Sequence, residues 1–215
     1  MPELRGLIVD WGGVLTAALQ DCMRAWCEAD GIDYAAFRSV LRQWLADLGP
    51  VDNPMHGLER GELAPAEFER ALGARLTTRD GRPVESAGLL ERMFAAFDHD
   101  HGMAGVVRRA HQAGLRTALC SNSWGNEYPR ESWAGLFDAV VISGEVGMRK
   151  PEPRIYVHTA RAIGLVPEQC AFVDDLPQNV RGAVATGMVG VLHVSTERTT
   201  EELEALFGLR LREPA

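Results

Sequence analysis

Six polar residues that could do catalytic or metal chemistry follow four apolar segments of this 215-residue chain. Carboxylates can act as nucleophiles or hold hard cations, a lysine neutralises negative charge, and hydroxyl and amide groups offer hydrogen bonds. Each of them alone is commonly a turn former, a helix cap or a solvated charge. The six residues are Asp10 in LIVD, Ser121 and Asn122 in LCSNS, Lys150 in GMRKP, and Asp174 and Asp175 in FVDD.

Five short apolar segments are predicted to be strands and would position these residues. Helical patterns at 103–113, 153–163 and 177–186 lie between them, and each pattern ends at a glycine. Alternating strands and helices of this length indicate a mainly parallel sheet covered on both faces. Ligands bind such sheets beyond the carboxyl ends of the strands, where strand order reverses, so the six residues should meet there. The predicted strands are 5–10, 115–121, 138–142, 170–174 and 189–194.

About a hundred residues between the first two predicted strands contain no convincing strand. Apolar residues recur there at helical spacing, from Leu19 to Cys27 and from Phe37 to Leu48, and PAEFERAL and ESAGLLERMFAAF predict two more helices. An ordinary crossover is far shorter, so this region is predicted to be an inserted helical subdomain, residues 17–99. Residues 1–16 and 100–215 would form the α/β core. Near the C-terminus, Thr199 and Glu202 predict a capping box for TEELEALF.

The order of the polar groups along the chain resembles that of the haloacid dehalogenase (HAD) superfamily. The motifs that carry the resemblance are VDWGGVLT, LCSNS, GMRKPEPRIY and FVDDLPQNVRGAVATGMVGV, which together cover nearly all of the core. The family also places a cap after its first strand, where the helical insertion lies. A response-regulator receiver uses similar groups, but there the acidic pair lies near the first strand and the lysine comes last. The resemblance implies a three-layer Rossmann-like parallel sheet with an all-helical cap.

The resemblance also implies a role for each residue in a magnesium-dependent phosphatase acting on a small phosphomonoester. Asp10 would attack phosphorus and form an aspartyl-phosphate. Lys150 would neutralise negative charge, and Ser121 with nearby amides would donate hydrogen bonds to phosphoryl oxygens. Substrate-binding residues would be Ser121, Asn122, Lys150 and Trp124. Mg²⁺ would be held by the carboxylates of Asp10 and Asp175, by Asp174 directly or through water, and by the carbonyl of Gly12.

Gly12 departs from the D-x-D-G pattern of many phosphatases of this superfamily. The second aspartate of that pattern protonates the leaving oxygen and then activates water, and a glycine can do neither. Loss of general acid–base help costs roughly a hundred- to ten-thousandfold in rate. The carbonyl of Gly12 could still hold a metal, so the departure affects turnover more than metal binding.

Two other functions remain open for this set of residues. A 2-haloacid dehalogenase displaces halide and needs neither a proton donor nor a metal, so Gly12 would be harmless. That branch, however, has an aromatic residue two positions after the nucleophile and usually lacks the acidic pair. Here Trp11 is one position after Asp10, and Asp174 and Asp175 are both present. The third possibility is a catalytically silent module that keeps the metal and phosphate pocket.

The remaining candidates rest on position alone. FDHDHG, residues 97–102, places His99 and His101 among aspartates, but a polar linker between cap and core explains it better than a metal site. Trp124 should lie at the active-site edge and could line the substrate pocket. His56 and Arg60 in the predicted cap could contact the leaving group.

Composition argues against several classes of partner. The formal net charge is −8, and without a long basic run the chain is a poor candidate for binding nucleic acid or an anionic membrane. No apolar stretch approaches a spanning length, and the N-terminus reads as a strand rather than a secretion signal. The four cysteines lack C-x-x-C spacing, which favours reduced, buried thiols. We therefore expect a cytoplasmic monomer or homodimer with a small phosphorylated substrate.

Overall fold

A five-stranded parallel sheet forms the centre of the computed structural model, which describes residues 3–46, 53–97, 100–125 and 128–213. The strands lie side by side in the order β3-β2-β1-β4-β5. All five predicted strands are present, each within two residues of its predicted bounds. The strands are β1 (Gly6–Val9), β2 (Arg116–Ser121), β3 (Ala139–Ile142), β4 (Cys170–Asp174) and β5 (Val189–Leu192).

Ten α-helices accompany the sheet in the described part of the chain. Five of them lie between β1 and the helix that leads into β2. The helices are α1 (Leu19–Ala29), α2 (Tyr34–Ala46), α3 (Pro54–Glu59), α4 (Pro65–Gly73), α5 (Leu89–Phe94), α6 (His101–Gln112), α7 (Ser143–Val146), α8 (Pro153–Ala162), α9 (Pro177–Ala185) and α10 (Thr196–Phe207).

Both faces of the sheet are buried, which explains why its strands are continuously apolar. Side chains alternate along each strand, so Leu7 and Val9 join the apolar cluster under α6 and α10, while Ile8 joins the cluster under α8 and α9. The three layers confirm the predicted α/β Rossmann-like class. Because β2 and β3 lie on one side of β1, and β4 and β5 on the other, the strand order reverses beside β1.

Helices α1 to α5 pack around an apolar cluster of their own, which includes Trp26, Phe37 and Phe68. Two isolated antiparallel bridges occur in this region, but residues 17–46 and 53–97 form no strand. The backbone N–H of Asp100 donates to the carbonyl of Leu15 at 2.9 Å, so the two connections to the core run side by side. We call α1 to α5 the cap; its limits at 16/17 and 99/100 stay a prediction.

Two local predictions in helical regions were wrong. Helix α10 begins earlier than the Thr199 capping box predicts, because the Ser195 hydroxyl accepts from the N–H of Arg198 and caps the helix there. Thr199 is buried inside the helix instead. The helix predicted from residues 85–97 begins only after Gly88, whose φ of 68° interrupts helical geometry. Leu48 lies outside the described residues.

The fold offers no membrane-crossing element in its described part, because no helix there is both long and apolar enough. All four cysteines are buried and free of disulfide bonds.

Candidate active site

Asp10 lies at the carboxyl end of β1, in the centre of the sheet. Its backbone N–H donates to the carbonyl of Val173 at 2.9 Å, which extends the pairing of β1 with β4 by one residue. The carboxylate is buried, and its Oδ1 accepts from the N–H of Trp11 at 2.7 Å. Lys150 Nζ lies 2.8 Å from the same oxygen. No hydrogen bond from the described residues reaches Oδ2, so this oxygen is the one available for chemistry.

Lys150 is 1% exposed and bridges two strand ends. Its Nζ lies 2.8 Å from Asp10 Oδ1 and 2.7 Å from Asp174 Oδ2. The Asn122 side chain holds the Lys150 backbone from both sides, accepting from its N–H at 2.8 Å and donating to its carbonyl at 3.1 Å. The ammonium group is therefore fixed between the two carboxylates by both its side chain and its main chain.

The carboxylates of Asp10, Asp174 and Asp175 offer oxygens within 4.8 Å of one another. Among the described residues this is the one group of three acidic, histidine or cysteine side chains with metal-ligand spacing. Asp174 is occupied, since it accepts from Lys150, from the Leu176 N–H and from the Asn179 amide. Asp175 Oδ1, in contrast, is buried with no hydrogen-bond partner.

Two consecutive glycines shape the turn that faces Asp175. Gly13 has a φ of 72°, and a Cβ there would lie 2.4 Å from Asp175 Oδ2, so only glycine fits. Gly12 is under no such constraint. A Cβ at Gly12 would meet only the flexible end of Leu19, at 3.1 Å, and its φ lies outside the positive region. The backbone at residue 12 would therefore accept a side chain, and glycine is not required there for steric reasons.

The other predicted substrate residues also lie around Asp10. The Ser121 hydroxyl, at the end of β2, is 3.0 Å from the hydroxyl of Tyr128. The Trp124 indole lies beside the cap and donates to Glu59 Oε1 at 3.1 Å. The structure brings the predicted site residues together at one edge of the sheet; their individual roles stay predictions.

A cavity of about 520 Å³ opens above these residues, between the strand ends and the cap. Asp10, Gly12, Ser121, Lys150 and Asp175 form its core side, and residues of α1, α2, α3 and α5 form its cap side. A second, more open cavity of about 550 Å³ lies beside α3 and α7 and touches none of the three carboxylates. The 520 Å³ cavity is therefore the one in which a substrate could reach Asp10.

The family model of haloacid dehalogenase-like hydrolases matches residues 4–187, which is most of the chain. The chain belongs to this family. This hydrolase is 30% identical over 172 residues to the sesquiterpene phosphatase astK of Aspergillus oryzae, covering 76% of this chain and 85% of that protein. It is 41% identical over 152 residues to a phosphoserine phosphatase of Thermus thermophilus, covering 66% of this chain but only 60% of that protein.

A solved structure with the same fold is a HAD family enzyme of Bacteroides thetaiotaomicron, in complex with magnesium and inorganic phosphate. It covers 89% of this chain and 94% of its own, with a TM-score of 0.59 and 18% identity. At that identity the likeness concerns the fold alone. The phosphatase relatives make this hydrolase similar to phosphoric monoester hydrolases.

Burial and mutual repulsion dominate the electrostatics of the hydrolase site. Burial and the neighbouring carboxylates of Asp174 and Asp175 raise the pKa of Asp10 to about 8, although Lys150 lowers it. Burial and Asp174 raise the pKa of Asp175 to about 7. Burial alone would lower the pKa of Lys150, but the charges of Asp10 and Asp174 outweigh it and raise that pKa well above its usual value. Three carboxylates share one ammonium group, so the site is short of positive charge.

Sequence reasoning missed four residues that support the hydrolase site: Glu59, Tyr128, Arg149 and Asn179. Glu59, at the end of α3, forms a buried ion pair with Arg149, the residue before Lys150. This pair and the Trp124 bond to Glu59 tie the cap to the active-site edge. Nothing in the sequence places residue 59 near residue 149. The sequence also carries one signal that singles out Lys150: it is the only lysine in a chain otherwise rich in arginine.

The remaining candidates lie outside the cavity or have structural partners. Asp100 caps α6 by accepting from the N–H groups of Gly102 and Met103, and His101 is exposed. His99 lies outside the described residues. Arg60 pairs with Glu152 of the core, and neither Arg60 nor His56 lines the 520 Å³ cavity. The predicted leaving-group contacts of these two residues therefore find no support.

Proposed function

We propose that this hydrolase is a magnesium-dependent phosphomonoesterase that works through an aspartyl-phosphate on Asp10. The observation that carries the proposal is the convergence of three carboxylates within 4.8 Å, with the buried ammonium of Lys150 held against two of them. This group lies under a cavity large enough for an organic substrate. A purely structural salt bridge would need neither the third carboxylate nor the cavity.

The donor set fits a hard divalent cation. Asp175 Oδ1 is buried without a partner, and Gly13 leaves the space beside Asp175 open. Asp10, Asp175 and the carbonyl of Gly12 would hold Mg²⁺, with Asp174 behind them. The bound ion would supply positive charge to phosphate oxygens and keep the carboxylates ionised. The Bacteroides enzyme, crystallised with magnesium and phosphate, supports this choice of cation by analogy.

Asp10 performs the first chemical step in the proposed reaction. Its Oδ2 forms a bond to phosphorus while the bond from phosphorus to the leaving oxygen breaks, which yields an aspartyl-phosphate. Oδ1 stays anchored by the Trp11 N–H and Lys150, so the carboxylate is oriented before substrate arrives. The leaving oxygen takes its proton from solvent. Water then attacks the phosphorus and gives up a proton to solvent while the bond from phosphorus to Oδ2 breaks, which releases inorganic phosphate and restores the Asp10 carboxylate.

Lys150 and Ser121 stabilise charge on either side of Asp10. Lys150 compensates the negative charge that accumulates when a phosphate dianion approaches a carboxylate. The Ser121 hydroxyl is available to phosphoryl oxygens, and Tyr128 orients it. Loss of one such donor typically costs about a hundred- to a thousandfold in rate. Asn122 acts on the substrate through Lys150, whose backbone it holds.

A substrate panel with Mg²⁺ and with a chelator tests the proposal. We expect release of phosphate from 4-nitrophenyl phosphate in Mg²⁺ and its loss in excess EDTA. The panel includes 2-chloropropionate, because halide displacement requires no proton at residue 12. Halide release that persists in EDTA would make the protein a dehalogenase. Phosphate binding without turnover of any ester would make it a silent module.

The Gly12→Asp variant tests what the missing side chain does to the reaction. An aspartate at residue 12 needs only a small shift of Leu19 and would add a proton donor near the leaving oxygen. Alkyl alcohols leave poorly without a proton, whereas nitrophenolate does not need one. We therefore expect kcat on alkyl phosphates to rise by roughly tenfold or more, with little change on 4-nitrophenyl phosphate.

Gly12→Asn is the matched control, because asparagine fills the same space but carries no acidic proton. It should leave the ratio of the two rates at its wild-type value. An equal effect of both substitutions, or an unchanged ratio in Gly12→Asp, would show that Gly12 does not limit protonation of the leaving group.

A further inference from the structure

The cavity above Asp10 has an apolar wall on its cap side. Six of its lining residues are apolar side chains that keep part of their surface exposed, and they come from four different segments. Trp124 is held in this wall by its bond to Glu59. The six residues are Leu19, Met23, Leu41, Phe94, Phe97 and Trp124.

The polar groups that line this cavity away from the carboxylates are already engaged or lie at the surface. Both ends of the Asn122 amide bind the Lys150 backbone, and the Asn179 amide donates to Asp174. Glu59 is paired with Arg149 and accepts from Trp124. Arg38 is exposed on α2, as is its neighbour one turn later, Arg42. A leaving group rich in hydroxyl or charged groups would lose water here and gain few partners.

We infer that the substrates of this hydrolase are phosphomonoesters with a large, uncharged, apolar leaving group. The inference rests on the proposed function, since it places the phosphate at Asp10 and the rest of the ester against the cap wall. The relatives do not decide between apolar and polar leaving groups, because one is a sesquiterpene phosphatase and the other a phosphoserine phosphatase. The preference follows from the apolar wall, because burial of an apolar group against apolar side chains is favourable and burial of a hydroxylated group is not.

A homologous series of esters measures this preference without changing the leaving-group chemistry. Ethyl, butyl, hexyl and octyl phosphate release alcohols of nearly equal acidity but differ in apolar area. We expect kcat/KM to rise by roughly threefold to fourfold for each added methylene until the cavity is filled. Phenyl and 2-naphthyl phosphate form a second pair of similar acidity, in which naphthyl should be preferred by about tenfold. Phosphoserine and glucose 6-phosphate should be poor substrates.

Substitutions in the wall link the preference to this cavity. Leu41→Asn keeps the approximate size of the side chain and places an amide in the wall, so it should lower the octyl-to-ethyl ratio of kcat/KM by about tenfold. Met23→Gln provides the same test at a half-buried position if Leu41→Asn fails to fold. Leu206→Asn on α10, where Leu206 is 37% exposed and does not line the cavity, is the control and should leave the ratio unchanged.

The outcomes separate this inference from the proposed function. A flat series, or a preference that survives Leu41→Asn and Met23→Gln, with 4-nitrophenyl phosphate still hydrolysed, would overturn the apolar substrate class and leave the phosphatase standing. If 4-nitrophenyl phosphate and every other ester resist hydrolysis in Mg²⁺, the proposed function itself fails. If kcat/KM rises along the alkyl series and the wall substitutions remove that rise, the result supports both the apolar substrate class and the proposed function.

Discussion

The Asp10→Asn variant should lose about ten-thousandfold or more of the wild-type kcat while remaining folded. Asparagine keeps the shape of the side chain but is not a nucleophile toward phosphorus, so the covalent step is removed. The measurement is phosphate release from 4-nitrophenyl phosphate in saturating Mg²⁺, with thermal unfolding of the same preparation. No proton donor at residue 12 can compensate, because Asp10 forms the bond on which the reaction depends.

Stability distinguishes this loss of function from unfolding. In the metal-free protein, Asp10 is buried beside two other carboxylates, which raise its pKa to about 8. Removing its charge relieves that repulsion, so the melting temperature of Asp10→Asn in EDTA should equal or exceed that of the wild type. Asp21→Asn, at an exposed position in the first turn of α1, is the matched control and should leave the activity unchanged, with only a small fall in melting temperature from the lost charge at the helix N-terminus. If Asp10→Asn keeps more than about a hundredth of wild-type kcat, Asp10 is not the nucleophile.

The Lys150→Met variant should be strongly destabilised as well as inactive. Methionine fits the apolar stem of the side chain but leaves Asp10 and Asp174 buried without their shared cation. Breaking a buried ion pair on one side typically costs about 3–5 kcal/mol. For a protein of this size, that predicts a fall in melting temperature of roughly 6–20 °C.

The pH dependence of this loss follows from the sign of the carboxylate pKa shifts. The folded pKa values of Asp10 and Asp175, about 8 and about 7, lie above their unfolded values. The folded state therefore binds more protons, and metal-free stability falls as pH rises from about 4 to about 8. Without Lys150 the pKa of Asp10 rises further. The fall in melting temperature of Lys150→Met relative to wild type should therefore be smaller at pH 5 than at pH 8.

Two controls keep this prediction specific. The double variant Lys150→Met with Asp174→Asn removes both a cation and an anion, and it should recover part of the lost stability because fewer buried charges are left unpaired. Since Lys150 is the only lysine, protein made with ¹⁵N-labelled lysine has a single side-chain ammonium signal that reports directly on this site. A Lys150→Met protein as stable as wild type at pH 8 would mean that the ammonium does not hold the two carboxylates.

The contacts between cap and core explain how distant parts of the chain share one site. Glu59 of the cap pairs with Arg149, and Arg60 pairs with Glu152, on either side of Lys150 and Pro151. Trp124 donates to Glu59 from the segment that follows Ser121. The cap is thus bound to the two segments that carry the lysine and the hydroxyl of the site.

The parallel sheet and the group of polar residues at its edge could both be predicted from the sequence. Continuous apolar runs such as LIV and AFV are typical of strands buried on both faces, and parallel strands bring their carboxyl ends to one edge. Asp10 and the Asp174–Asp175 pair could be found because their place at the strand ends depends only on this local pattern. Lys150, eight residues after the end of β3, was found from the order of the motifs along the chain. The helices of the cap could be predicted for the same reason as the strand-end carboxylates, because the helical spacing of apolar residues is a local pattern.

Contacts between residues far apart in the sequence became known only from the fold. The Glu59–Arg149 pair, the Trp124–Glu59 hydrogen bond and the apolar wall above Asp10 join segments whose sequence separation carries no pattern. The helix ends at Gly88 and Ser195 were likewise missed, because several residues nearby could have capped them. The difference between Gly12 and Gly13 is a further case. In the sequence both are glycines, but the closeness of Asp175 makes one indispensable for steric reasons and leaves the other open to substitution.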